Sequence, residues 1–559
     1  MITSVHPSAY ISVELLYKHN VRYVVHSPGA RNTPLVIALS AYEGIKVLSI
    51  IDERTAAFVA LGLAARTGAP VALVCTSGTA ILDYAPAIAE AYYRNIPLII
   101  ISADRPAEWI DQEDGQTIRQ NEVLANIVKG SYDIPTFVSQ KDSISSKNAQ
   151  DYLWYVNRIV NSAILKSLSQ LQGPVHINLH FGDKLNETQE INVEQRVVKS
   201  ISPAPVLTLS QIKDLINDLN PRKILILAGQ NPPDARISRA VKRLSQCPTV
   251  SVFCEAQSNL KSVDNAIDCI DGVVNILTQS DKTNLLPDLV ISFGGGIMSK
   301  SLKEWLRVAP PSMQHWRLGV NRNDELTDTY QHLSACFNVD VASFLSSLSH
   351  VLMHKNEGNY SSAWLTKLRE FKCQFETLLE NAQWSDLVAM NIIMQKLKPY
   401  HNLQVSNGMS IRNIQYFNYR KFHRIDSNRG CNGIEGSTST AIGASIDCNI
   451  PTVLISGDMS FQYDIGALSL KHIPNNFRVI VMNNNGGEIF RTIDTTKNLS
   501  VLEERFVMPQ NTDYKKIAAT FNFVYLLAND CDSLKKAIET INCQSTRPIL
   551  LEVNTSATL

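Results

Sequence analysis

Short, almost wholly apolar runs alternate along this chain with longer stretches whose apolar positions recur at helical spacing. The runs at residues 21–26, 45–51, 71–75, 97–102 and 175–179 read as strands, and the stretches between them as amphipathic helices. Strands buried on both faces lose the polar alternation of a half-exposed sheet, so the pattern predicts a parallel sheet with helices on both sides. The rhythm resumes twice. Runs at 223–228, 249–253 and 289–293 predict a second sheet, and runs at 403–406, 452–456, 479–482 and 549–553 a third.

Two polar segments, 184–205 and 350–362, interrupt this rhythm and read as linkers. The expected fold class is α/β, with three doubly wound parallel-sheet domains over 1–183, 206–349 and 363–559. A chain of 559 residues exceeds what one hydrophobic core serves, which fits several domains. No short internal repeat occurs, although the first and last domains are candidates for distant versions of one architecture.

Composition adds mainly exclusions. Lys plus Arg and Asp plus Glu number 52 each, so no net charge points to nucleic acid or an anionic membrane, and functional cations must be concentrated locally. The ten cysteines show no Cys-x-x-Cys pair and are expected to be mostly reduced core thiols. The twelve histidines form no His-Glu-x-x-His pattern. Without a signal-peptide pattern or a membrane-length apolar run, a cytoplasmic location is the expectation. Phe293-Gly294-Gly295-Gly296 follows a strand, but Ser299 stands where a dinucleotide loop needs its last glycine.

The candidate chemistry lies in loops that follow strands, where open α/β sheets place ligands. Gly457-Asp458 ends one apolar run, and Asn483-Asn484-Asn485-Gly486 ends another, with Asn484 26 residues after Asp458. A carboxylate, an amide oxygen and a backbone carbonyl form a donor set suited to Mg²⁺ shared with a diphosphate. Gly-Asp and Asn-Gly are also ordinary turn dipeptides, so this pair needs a second signal. Glu53, in Asp52-Glu53-Arg54-Thr55-Ala56-Ala57, supplies one at the start of a helix after a strand. It resembles the glutamate with which thiamine diphosphate enzymes hydrogen-bond N1′ of the aminopyrimidine.

The neighbouring text narrows the resemblance. Ser27-Pro28-Gly29-Ala30-Arg31-Asn32-Thr33-Pro34, Cys75-Thr76-Ser77-Gly78-Thr79, Asp104-Arg105-Pro106, Gln116-Thr117-Ile118 and Ser427-Asn428-Arg429-Gly430-Cys431-Asn432-Gly433-Ile434-Glu435-Gly436 closely resemble the 2-succinyl-5-enolpyruvyl-6-hydroxy-3-cyclohexene-1-carboxylate synthase family. The resemblance spans nearly the whole chain and is thinnest in the middle. It implies a thiamine diphosphate-dependent transferase that decarboxylates 2-oxoglutarate and adds the remaining unit to isochorismate in menaquinone biosynthesis. It further implies a homodimer or homotetramer, with each active site between the first domain of one chain and the third of another.

Residue by residue, the resemblance implies Glu53 at the pyrimidine, and Asp458, Asn484 and Gly486 at Mg²⁺ or Mn²⁺, with Asn485 as the substitute for Asn484. Asn407, Gly408, Met409, Met459 and Ser460 would line the diphosphate, with Ile434, Met409 and Ile489 against the cofactor. Arg31, Gln116 and Arg429 would join Glu53 in catalysis. Arg31, Arg105, Gln116, Lys300, Arg412 and Arg429 would bind the carboxylate-rich substrates, because guanidinium forks hold carboxylates bidentately. Ala30 and Gly408 replace serines common in the family, and Gln112 to Gly115 departs from its usual run. Two readings compete: an acetolactate-synthase-like carboligase or 2-oxo acid decarboxylase, and a non-catalytic binding protein on the same fold.

Overall fold

Apolar strands flanked by helices build three six-stranded sheets in the computed structural model, which describes residues 2–137, 147–191, 194–201, 203, 205–320, 326–353, 357–399 and 401–556. The first sheet contains β1 (Tyr23–His26), β2 (Lys46–Ser49), β3 (Val71–Cys75), β4 (Leu98–Asp104), β5 (Ser131–Ile134) and β6 (Val175–His180). The second contains β7 (Ile224–Ala228), β8 (Val250–Cys254), β9 (Ala266–Ile267), β10 (Leu289–Phe293), β11 (Gln314–Leu318) and β12 (Leu333–Phe337). The third contains β13 (Asn402–Val405), β14 (Arg424–Asp426), β15 (Thr452–Gly457), β16 (Phe477–Asn483), β17 (Val524–Ala528) and β18 (Ile549–Asn554).

The first sheet runs β2-β1-β3-β4-β6-β5 and the third β14-β13-β15-β16-β18-β17, which is the same order relative to the chain. The middle sheet runs β9-β8-β7-β10-β11-β12. In each sheet the order reverses beside the first strand, and loops on either side of that reversal diverge to leave a crevice at the carboxyl edge. The α/β class and the three parallel sheets agree with the sequence pattern.

The chain divides into two compact units. One comprises Met1–Ser202, Gly430–Asn449 and Ser460–Phe477; the other comprises Pro203–Arg429, Ile450–Met459 and Arg478–Leu559. Within the first, the helix Glu53–Thr67 lies against the helix Ser437–Ser445 with backbone touching backbone. A Cβ on Gly62 would stand 2.0 Å from the Thr440 carbonyl oxygen, and one on Gly443 would stand 2.1 Å from that of Val59. Only glycine permits this approach. Asp52 caps the first of these helices by accepting from the Thr55 N–H at 3.1 Å, which fixes where Glu53 begins it.

Two local expectations change. Part of the first polar segment is a strand: Thr188–Glu190 pairs antiparallel with Ile2–Ser4, because an edge strand needs no apolar run. Of the remaining linker positions, Asn192, Val193, Ser202, Ala204 and residues 354–356 lie outside the described residues. Of the ten cysteines only Cys75, Cys247, Cys254 and Cys269 are buried, so most are not core thiols. Among the described residues no helix is long and apolar enough to cross a membrane.

Candidate active site

In the first unit the loops after β1, β4 and β6 bring Arg31 and Arg105 together. The N–H of Arg31 donates to Thr76 Oγ1 at 3.3 Å, and its guanidinium donates to the Phe181 carbonyl at 3.0 Å. Burial, and then the charge of Arg105, hold the Arg31 pKa below its ordinary value. Two like charges at one sheet edge favour an anion between or beside them. Arg105 is already engaged: it pairs with Asp114 at 2.8 Å, and its Nε donates to the Gly115 carbonyl at 2.8 Å. Gln116 follows with φ of 56°, and its backbone lies against Gly78.

Glu53 is half-buried at its helix start. Burial raises its carboxyl pKa, its own N–H opposes that shift, and the charges of Asp83 and Asp52 add to it. A carboxyl so placed holds or accepts a proton more readily than a free glutamate. Ile434 is 37% exposed, and its carbonyl accepts from Ser460 Oγ, which also lies 3.3 Å from Ser437 Oγ.

In the second unit, Lys300, Met409, Arg412 and Ile489 line one cavity of about 490 Å³ together with Glu255 and Tyr416. Gly408 precedes the helix Met409–Asn413 at φ of 101°, which glycine adopts without strain and serine does not. No atom stands within 4 Å of a Cβ built there, so conformation rather than space favours glycine. Asn407 Nδ2 donates to the Asn428 carbonyl at 2.6 Å, and Arg429 donates to Asn407 Oδ1 at 3.1 Å, which links two of the expected positions.

Asp458 follows β15 and is 2% exposed. Its carboxylate accepts from the N–H groups of Gly486 and Met459, both at 2.7 Å. Burial nevertheless pushes the carboxyl up to about 6. Among the described residues no cationic side chain is a main cause of this shift, and the charge that contributes to it is that of Asp386. Asn484 Oδ1 is also buried and lacks a hydrogen-bond partner among them. Asn485, at φ of 66°, instead spends its Oδ1 on the Gln510 N–H at 2.9 Å. The Gly486 carbonyl accepts one bond, from the Glu488 N–H at 3.0 Å, which leaves its second lone pair. An under-compensated carboxylate, an unpartnered amide oxygen and a half-used carbonyl fit a hard cation that takes oxygen donors. Of the two asparagines, Asn484 has the available atom.

Several contributors have no sequence motif. Asp386 and Glu488 hold the Asn484 amide nitrogen at 2.7 and 2.8 Å. Glu90, which is buried, accepts from the N–H groups of Gly430 and Cys431 at 2.8 and 2.7 Å, immediately after Arg429. Glu488 adjoins the asparagine run in sequence, whereas Asp386 and Glu90 are remote in sequence from the loops they contact.

Three family descriptions match in succession: "Thiamine pyrophosphate enzyme, N-terminal TPP binding domain" over residues 9–123, "Middle domain of thiamine pyrophosphate" over 201–405, and "Thiamine pyrophosphate enzyme, C-terminal TPP binding domain" over 407–553. Thiamine diphosphate is the cofactor these domains serve. The chain is 35% identical to the 2-succinyl-5-enolpyruvyl-6-hydroxy-3-cyclohexene-1-carboxylate synthase of Porphyromonas gingivalis, across 98% of this chain and 94% of that one. It is 37% identical to the synthases of the same name from Christiangramia forsetii and Flavobacterium psychrophilum, in each case over 98% of this chain and 96% of the relative. With that identity sustained from end to end, and loops after strands carrying the cation set and the oxygen donors described above, the chain belongs to the 2-succinyl-5-enolpyruvyl-6-hydroxy-3-cyclohexene-1-carboxylate synthase family of thiamine diphosphate enzymes.

Proposed function

We propose that the protein decarboxylates 2-oxoglutarate and adds the resulting four-carbon unit to isochorismate, forming 2-succinyl-5-enolpyruvyl-6-hydroxy-3-cyclohexene-1-carboxylate in menaquinone biosynthesis. The observation that supports this reading is the presence of two cations at each of two places, Arg31 near Arg105, and Lys300 and Arg412 among the residues lining one cavity, where Glu255, Asp268, Asp271 and Asp494 also stand. Both substrates carry two carboxylates, and fixed cationic groups recognise them. An acetolactate-synthase-like enzyme acting on monocarboxylic acids has no use for that many.

Thiamine diphosphate, when bound, supplies the electron sink for loss of carbon dioxide, which no side chain here provides. The chain's own residues bind, orient and move protons. Glu53 would hold the pyrimidine N1′ through a carboxyl disposed to share a proton. Asp458, Asn484 and the Gly486 carbonyl would hold Mg²⁺ or Mn²⁺, and backbone groups from Asn407 to Met409 and at Met459 and Ser460 would take the diphosphate. Ile434, Met409 and Ile489 would supply the apolar surface against the cofactor. Arg31, Gln116 and Arg429 would act at the reacting atoms, while Arg105, Lys300 and Arg412 bind the outlying carboxylates. The active unit in this proposal is a cytoplasmic homodimer or homotetramer, each site completed by a second copy of the chain.

Carbon dioxide release from 2-oxoglutarate, measured with thiamine diphosphate and Mg²⁺ while isochorismate absorbance is followed in the same cuvette, tests this directly. Coupled consumption of both substrates is the expected result. Turnover of pyruvate with isochorismate untouched would transfer the chain to the small-acid carboligases.

A further inference from the structure

The two ends of an asparagine amide have nearly the same shape, so only its neighbours decide which end is nitrogen. At Asn484 they decide it firmly. Asp386 Oδ2 lies 2.7 Å and Glu488 Oε2 2.8 Å from Nδ2, and carboxylate oxygens accept. Turning the amide over would set its oxygen against Asp386 and Glu488, which also hydrogen-bond each other, and forfeit both hydrogen bonds from its nitrogen.

The clamp is itself braced. Asp386 opens the helix Asp386–Lys396, where a negative charge is favoured, and its other oxygen accepts from Thr555 Oγ1 at 2.5 Å. Thr555 follows β18 and donates its N–H to the Asn483 carbonyl at 3.0 Å. Glu488 is tied to the same loop by its N–H bond to Gly486. Two elements far apart in the chain thus converge on one NH₂ group and leave its oxygen unpartnered.

We propose that Asp386 and Glu488 are positioning residues that lock the Asn484 amide with its oxygen free for a divalent cation. This rests on the metal role proposed above for Asn484. Partners of this kind commonly contribute about 10–100-fold to metal affinity. A side chain pre-set in the ligating orientation spends no free energy on turning when the ion arrives.

The test measures Mn²⁺ binding to the full-length protein by electron paramagnetic resonance, with thiamine diphosphate saturating. The double variant Asp386→Asn/Glu488→Gln keeps size and shape but permits the amide to turn. Its Mn²⁺ Kd should rise about 10–100-fold, while the metal-free protein melts close to the parent. Thr555→Val, which removes the hydroxyl that braces Asp386 and also lies 3.4 Å from the Asn483 carbonyl, should weaken Mn²⁺ by a smaller factor of about 2–10, and this decides the matter if the double variant does not fold. Unchanged Mn²⁺ affinity in a folded double variant, or in Thr555→Val where only that variant folds, overturns the clamp. Asp458→Asn separates the two ideas: if it abolishes Mn²⁺ binding while the clamp variants bind normally, only the clamp is wrong. If it too binds Mn²⁺ normally, the metal site lies elsewhere and the clamp falls with it.

Discussion

The ring of His180 bridges two acceptors, the Asp133 carboxylate at 2.9 Å from Nε2 and the Arg105 carbonyl at Nδ1. Both partners accept, an arrangement that favours a proton on each ring nitrogen. Burial disfavours that charge, but Asp133, the Arg105 carbonyl and Asp104 outweigh it and raise the pKa. Burial likewise acts against ionised Asp133, and His180 and Asn178 reverse it to leave the carboxyl below its usual range. The cluster fixes the backbone of Arg105 at the end of β4, since Asp104 accepts the Arg105 N–H at 2.8 Å and Asn178 ties Asp104 to Asp133.

A pH window in stability follows. A raised histidine stabilises the fold fully below its ordinary pKa and loses that contribution as pH rises through the raised value. A depressed aspartate stabilises above its ordinary pKa and loses it as pH falls through the depressed value. Near pH 5 both contributions stand. His180→Gln should cost about 1–3 kcal/mol there, with Asp133 partly exposed to solvent, and much less at pH 9. Urea unfolding at the two pH values checks this, and equal losses at both would mean the ring is neutral.

Glu53→Gln keeps the shape of the helix start and removes the acid. Cofactor affinity should change little, while turnover of 2-oxoglutarate should fall about 10²–10⁴-fold. Steady-state rates beside calorimetric cofactor binding read both quantities. Unchanged turnover would displace Glu53 from the chemistry.

Glu255 is fully buried, and burial pushes its carboxyl up to about 7 against the N–H groups of Ser299 and Met298 and the charge of Arg429. It accepts from Met298 and Ser299 at 2.7 and 3.0 Å, just before the helix that begins with Lys300. A carboxyl raised on folding binds its proton more tightly in the folded state, so stability should decline as pH rises from about 4.5 to about 7, by a total of order 3 kcal/mol. Glu255→Gln should flatten that decline. Parallel slopes in variant and parent over this range would assign the pH dependence to another group.

Much of this was legible from the chain. Strands such as β3, β4 and β10 are buried throughout and mostly apolar because helices cover both faces, and the loops after β1, β13 and β16 carry Gly and Asn where the backbone turns. The sequence reading missed β5, β9, β11, β12, β14 and β17. These are edge strands or lie next to an edge; β12 and β17 are largely half-exposed, and β14 stands on a buried Arg424–Asp426 pair rather than an apolar run. Asp458 and the asparagine run stand out as a motif, but the contacts that distinguish Asn484 from Asn485 involve Gln510 and Asp386, whose distance along the chain carries no local pattern. The network around His180 was invisible for the same reason.

Gly443→Ala should destabilise the fold by about 2–4 kcal/mol, because its Cβ would meet the Val59 carbonyl with no flexible side chain to give way. Gly68→Ala is the comparison, with nothing within 4 Å and only the strain of φ +67°, worth about 1 kcal/mol. Chemical denaturation of both separates steric from conformational cost. Equal losses would mean the helices part easily at Gly443.

The seam between the helices Glu53–Thr67 and Ser437–Ser445 contains no side chain to repack where Gly62 and Gly443 lie. Volume changes elsewhere in that core are therefore absorbed in layers above and below it, and the carboxylate at the helix start keeps its depth. The seam acts as a mechanical datum.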